Sequence, residues 1–423
     1  MKYISIAVSA ITALLIVNGT ARAQEPDQVT AADLAKAHPS FHASAGSTKA
    51  NHRLGALQPT VSGIDSIQNF TGVYYTFGYD FFGKPNNTWY YNMIGNPPEQ
   101  GGTTTFNAPV IPVSVLLLNY DGTPRFVNGQ LLYSDATQFV SKVLQSPIFE
   151  NYQFSSSKDP TQFVDAVQRA EFWARKYGRS PEWHTLLNAQ AKQGRVMLVP
   201  RGKYRFALHD DGSCCEFILI DGNTFGNLLF PPTYPFDGTT IIGAAELAGD
   251  MTTQDISTLL FPDTYLYNGD PSHCCVLGFH EYDFEPGIPG NGNRERRYIM
   301  NYSSWISPGL FGEFQDVTAL SHELAETAND PFVFTDGVLN VTPWWLSPNG
   351  NCQDVLEVGD VIEGLPDATF PITMNGYTYH PQTVALLPWF EFKTPSDAID
   401  SAYSYPGTNV LTALSKVEKR FCQ

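Results

Sequence analysis

The stretch Ala319-Leu320-Ser321-His322-Glu323-Leu324-Ala325-Glu326-Thr327-Ala328-Asn329-Asp330-Pro331 constrains this chain more than any other. It predicts a helix over about 314–329, which stops there because the residue before a proline avoids helical geometry. Each helical residue turns 100°, so His322 and Glu326 lie only about 40° apart and about 6 Å apart along the axis. Both side chains can reach one cation. Glu323 sits about 60° from Glu326 and flanks the same position. Upstream, 73–77, 109–119, 196–208, 215–220, 275–282 and 297–303 read as strands. Residues 135–180 change character, with helical periodicity at 136–140 and 163–173. Strands preceding a central helix make the fold class α+β.

The chemistry of the helix follows from its spacing. In the zincin motif, His-Glu-x-x-His, two helix side chains bind zinc and the glutamate acts as general base on a water. Here Glu326 stands where the second histidine would be. A carboxylate oxygen is an accepted zinc ligand. It makes the site harder and more anionic, so another divalent metal is the alternative to Zn²⁺. The expected fold is therefore a zincin-like metallohydrolase domain, a twisted mixed sheet plus an active-site helix. The strand at 297–303 shortly precedes the helix, as a substrate-aligning edge strand would.

A third ligand has to come from elsewhere. Asp330 lies eight residues from His322, about 12 Å along a helix, which ligand bonds near 2 Å cannot close. The segment Val355-Leu356-Glu357-Val358-Gly359-Asp360 offers two carboxylates. Glu357 is the first choice and Asp360 the second, since an Asp after Gly359 reads first as a turn residue. His280 and His380 are further candidates, although each is more often a packed, hydrogen-bonded histidine. Near a metal, His380 or Tyr379 could donate to a developing oxyanion.

Composition sets the surroundings. Hydrophobic residues make up 43%, aromatics 13% and charged residues 16%, which excludes a mainly disordered chain. Lys+Arg total 25 against 42 Asp+Glu, a net charge of −17 that argues against a nucleic-acid partner. An apolar run over 3–17 follows Lys2 and precedes Ala21-Arg22-Ala23. Fifteen helical residues span about 22 Å, short of a ~30 Å hydrocarbon core. Residues 1–23 thus read as a cleaved signal peptide, and the protein as secreted, periplasmic or extracellular. Processing would leave 23 basic and 42 acidic residues, a balance of −19. Residues 24–60 read as a flexible segment or propeptide, and 61–423 as one domain with a helical insertion at about 135–190. No later segment is long and apolar enough to span a membrane. Six cysteines suit an oxidising compartment. Adjacent strand residues point to opposite faces, so each doublet, Cys214-Cys215 and Cys274-Cys275, is expected to send one sulfur toward the other. Cys352–Cys422 would tie down the C-terminus.

Ser321 to Glu326, Asn329-Asp330-Pro331, Glu357-Val358-Gly359-Asp360 and the stretch 377–389 together resemble a family. Secreted bacterial proteins carry this SHELAE…NDP…EVGD pattern, and the plant phosphate-induced, EXORDIUM-like cell-wall proteins are similar over the same stretch. The resemblance covers about 275–390, roughly a quarter of the chain. It implies His322, Glu326 and Glu357 as metal ligands and Glu323 as the catalytic base of a metallopeptidase acting on a peptide or protein substrate. It also implies possible cell-wall association. The departure is at cysteine: the family often has one soon after its EIGD, whereas here Val361-Ile362 follow Asp360. Two other classes compete. One is a non-catalytic extracellular or cell-wall binding protein with a metal-stabilised zincin-like fold. The other is a two-carboxylate glycosidase, which leaves His322 without a role.

Overall fold

The computed structural model describes residues 27–34, 39–41, 64–155, 159–174, 182–231, 238–287, 289, 292–333 and 342–422. The expected signal peptide, and most of 24–60, lie outside the described residues. The architecture is α+β. Its main sheet has nine strands, of which six carry the description: β1 (Thr103–Leu117), β2 (His184–Ala191), β3 (Arg195–Val199), β4 (Ile256–Pro262), β5 (Gly278–Glu285) and β6 (Glu295–Phe311). β1 is parallel to β2, β3 and β4, and β4 is parallel to β6 from Ile256↔Ile299 to Pro262↔Trp305. β5 closes on β6 antiparallel, from Gly278↔Ser303 to Glu285↔Arg296.

The interior of β6 shows why the sheet is ordered this way. Residues 297–306 are buried without interruption, the pattern of a strand covered on both faces. β6 pairs with β4 on one side and β5 on the other, so 297–303 belongs to an interior strand and not to the edge strand expected.

Two helices matter for the site: α1 (Phe163–Glu171) and α2 (Thr318–Asn329). α2 packs on β5 and β6 and touches α1, and all twelve of its residues are buried. It starts at Thr318, later than the expected 314, because Phe314–Asp316 turns back as a strand on β6. It ends as expected, with Asp330 as C-cap before Pro331. In the stretch expected as a helical insertion, α1 and the helix Thr137–Leu144 are followed by β2, which belongs to the main sheet.

A second sheet has four strands in the order Tyr204–Leu208, Cys214–Asp221, Thr264–Tyr267, Cys274–Val276. The N-terminal part of the chain meets both of its edges. Gln28 bridges Phe206 at one and Ser40 bridges Val276 at the other. Phe206 N–H donates to the Asp27 carbonyl (3.1 Å), and Ser40 N–H to the Cys275 carbonyl (2.7 Å).

The cysteines correct one expectation. Each doublet is bonded to itself, Cys214 to Cys215 and Cys274 to Cys275, with Cα atoms 3.0 Å apart. The opposite-faces rule assumes a trans extended backbone, whereas the peptide within each doublet is cis. Cys352–Cys422 forms as expected across 70 residues. Among the described residues no helix is long and apolar enough to cross a membrane.

Candidate metal centre

α2 delivers His322, Glu323 and Glu326 to one buried spot, β5 adds His280, and the 355–361 loop adds Glu357 and Asp360. None of the six is more than 7% exposed. Two glycines make the convergence possible. A Cβ at Gly359 would lie 2.5 Å from His322 Nδ1, and one at Gly278 would lie 2.5 Å from Glu323 Oε1. No real side chain tolerates that approach, so both positions require glycine for space.

His322 is held by its far nitrogen. Gln382 Nε2 donates to the Gly359 carbonyl (2.8 Å), which fixes the amide so that its Oε1 faces His322 Nδ1 at 3.0 Å. An oxygen that can only accept demands an N–H, so His322 Nδ1 donates, and Nε2 is the nitrogen that carries the lone pair when the ring is neutral. That Nε2 faces Glu326 Oε2 at 3.1 Å and Asp360 Oδ1 at 3.5 Å, with no hydrogen-bond partner. Glu326 is set from its other oxygen, where Oε1 accepts from the N–H groups of Gly359 (2.9 Å) and Asp360 (3.2 Å). His322, Glu326 and Asp360 thus present ligand atoms within 4.8 Å of one another.

Beside this trio stands a second one, His280, Glu323 and Glu326, equally close. His280 Nε2 donates to the Asp330 carbonyl (3.1 Å), where the α2 helix ends. Its Nδ1 faces Glu326 Oε2 at 3.4 Å and Glu323 Oε2 at 3.6 Å. Both Glu323 oxygens are buried without a hydrogen-bond partner.

The electrostatics follow from burial and crowding. Burial opposes charge on both histidines, yet the surrounding carboxylates hold each well above its ordinary value: Glu357 first for His280, Glu326 first for His322. Burial pushes Glu326 up, but His322 and His280 outweigh it and keep the carboxyl well below the usual range. Burial lifts Glu323 to about 7. Glu357 is raised well above its ordinary value, by burial and then by repulsion from Glu326.

Of the ligands expected from sequence, His322 and Glu326 come together as the helix geometry requires. Asp360, the second choice, stands beside them. Glu357, the first choice, belongs to neither trio; its Oε2 lies 3.8 Å from His280 Nε2 and has no hydrogen-bond partner. The two expected oxyanion donors are engaged elsewhere. His380 Nδ1 meets Asp316 Oδ2 at 2.7 Å, and Tyr379 Oη donates to the Lys142 carbonyl (2.9 Å). Asp316 also accepts from the His380 and Val317 N–H groups, so this histidine braces the start of α2. Sequence reasoning missed Gln382 altogether and underrated His280. The signal for His280 was the i, i+2 pair Gly278/His280 on one face of a strand.

The centre is covered. The Phe41 ring stacks on His322 with centroids 4.1 Å apart and is itself only 2% exposed. No protein-family model, no curated protein and no solved structure matches this chain.

Proposed function

We propose that the protein is an extracellular metal-dependent hydrolase, a zincin-like metallopeptidase in which His322, Glu326 and Asp360 hold Zn²⁺. One observation carries this reading: a fully buried histidine nitrogen without a hydrogen-bond partner faces two carboxylates, at 3.1 and 3.5 Å. An unpaired buried charge costs several kcal/mol, and a fold has no packing reason to keep one. Imidazole nitrogen and carboxylate oxygen are both accepted zinc ligands, and three protein donors leave the fourth position open. Bound there, a divalent cation supplies Lewis-acid polarisation of a carbonyl and lowers the pKa of water. Gln382 fixes the tautomer and orientation of His322, as a metal ligand's outer partner does. Glu323, at about 7 and without hydrogen-bond partners, is poised to take a proton from the attacking water and return it to the leaving nitrogen. Three disulfides suit the oxidising compartment that the start of the sequence suggests.

The test is metal content followed by turnover of a mixed peptide library by wild type and Glu323→Gln. The variant is expected to keep zinc at His322, Glu326 and Asp360 and to lose at least about 100-fold in rate, the usual worth of a general base. Full zinc occupancy with no cleavage by either protein would sink the catalytic reading.

A second reading rests on the burial itself. His322 and Glu323 are 0% exposed beneath Phe41, which suits a metal that stabilises a non-catalytic binding protein. It predicts that chelation lowers the melting temperature while no peptide is cut under any condition.

A further inference from the structure

We infer that the centre takes two divalent cations, not one, with Glu326 as the ligand they share. This rests on the metal reading above and deepens it: His322, Glu326 and Asp360 form the first position, and His280, Glu323 and Glu326 the second.

Three observations carry the second position. The first is the tautomer of His280. Its Nε2–H is committed to the Asp330 carbonyl, so Nδ1, the lone-pair nitrogen of the neutral ring, is the one that faces Glu326 Oε2 and Glu323 Oε2. A metal-ligating histidine is held in this way, with its other nitrogen donating to a backbone carbonyl. His322 shows the same device, with Gln382 in place of the carbonyl.

The second observation is distance. His280 Nδ1 stands 3.4 and 3.6 Å from the two glutamate oxygens. N–H···O hydrogen bonds fall at 2.7–3.2 Å, so these gaps are too long for one. Two atoms each about 2.05 Å from a tetrahedral metal lie about 3.3 Å apart. The gaps at His322, 3.1 and 3.5 Å, bracket the same value. The third observation is Glu323, fully buried, with Oε2 facing His280 Nδ1 and no hydrogen-bond partner on either oxygen.

Glu323, Glu326, Glu357 and Asp360 bring four carboxylates into one buried cluster with the two histidines. Glu326 suits the shared role because Oε1 is occupied by two backbone N–H groups, and Oε2 alone faces both histidine nitrogens. Glu323 presents Oε2 to the second position and retains Oε1 for the proton.

The experiment is a zinc titration of the full chain after chelation, with bound metal counted by elemental analysis. It is run on wild type, His280→Gln, Asp360→Asn and Glu326→Gln, each checked for folding by circular dichroism. Two equivalents are expected for wild type and one for each of His280→Gln and Asp360→Asn. Glu326→Gln is expected to bind both at least tenfold more weakly. Cobalt loaded in zinc's place gives a second readout: the doubly loaded protein should show a spin-coupled pair, lost in His280→Gln. One equivalent in wild type, unchanged in His280→Gln, overturns the second position and leaves the proposed function standing. No bound metal overturns both. Two equivalents retained in folded His280→Gln would show that the second ion lies elsewhere.

Discussion

Two buried acids, Asp165 on α1 and Glu323 on α2, sit on touching helices and are both 0% exposed, yet they are treated oppositely. Asp165 Oδ2 accepts from Thr161 Oγ1 (2.6 Å) and from His184 Nδ1 (2.9 Å), and Oδ1 from the Thr185 N–H (2.8 Å). Arg169, one turn on, adds its charge at 3.6 Å. Glu323 has no such donor on either oxygen. The first carboxylate ties a helix to a strand. The second has His280 Nδ1 no nearer than 3.6 Å and lies beside the carboxylate-rich cluster of α2 and the 355–361 loop. Hydrogen-bond satisfaction, more than burial, separates the two acids.

The largest expected effect breaks the satisfied network. Asp165→Ala would remove the acceptor of the Thr161 hydroxyl and the Thr185 N–H together with the carboxylate beside Arg169, and should lower unfolding free energy by about 3–5 kcal/mol in urea melts. A loss under about 1 kcal/mol would erase the contrast.

Asp263 sharpens the comparison from the middle. It accepts from Ser307 N–H (2.6 Å), Ser307 Oγ (2.8 Å) and Tyr265 Oη (3.0 Å), yet burial lifts it from 3.8 to about 6. The folded form therefore holds its proton over a pH range where the unfolded chain has released it. The contribution of Asp263 to stability is greatest below pH 4, falls between about pH 4 and 6, and is level above. Two pH units correspond to roughly 3 kcal/mol. Wild-type stability minus that of Asp263→Asn should fall by this amount between pH 4 and 7; a flat difference would show that its donors satisfy the charge fully.

Zinc comes next. At a free concentration one hundred times Kd it should stabilise the protein by about 2.7 kcal/mol, and Asp165→Asn should leave that increment unchanged. Zinc with no effect on melting would place Glu323 in a structural role after all. The smallest effect belongs to Glu357→Gln. Removing an acid that lacks hydrogen-bond partners is expected to leave the metal-free protein equally stable or to raise its stability, by no more than about 1 kcal/mol. A clear loss would mean that Glu357 has a partner worth keeping.

What could be read in the sequence is what depends on local geometry. The α2 stop at Pro331, the shared face of His322 and Glu326 and the strand-then-helix order follow from φ restrictions and the 3.6-residue turn. The nearness of Asp360 and Glu357 to the helix was legible, but not which would stand at His322. That choice depends on Gly359, whose missing side chain lets the loop backbone press against the imidazole and donate to Glu326. The i, i+2 spacing puts Gly278 and His280 on one strand face, but only the pairing of β5 with β6 brings that face to the cluster. The doublets were misread because strand alternation describes trans peptides only.

The stretch around Gln28 and Ser40 has a consequence for how molecules of this protein meet one another. The open rows of N–H and C=O at a sheet's two margins are where a neighbouring chain can add a strand. Here both margins of the four-stranded sheet are occupied by the same short length of chain, through Phe206 at one and Val276 at the other. A molecule cut after Phe41 would present two sticky margins and an uncovered His322 at once. Opening the metal centre and keeping the protein from self-association would then be competing demands on the same few residues.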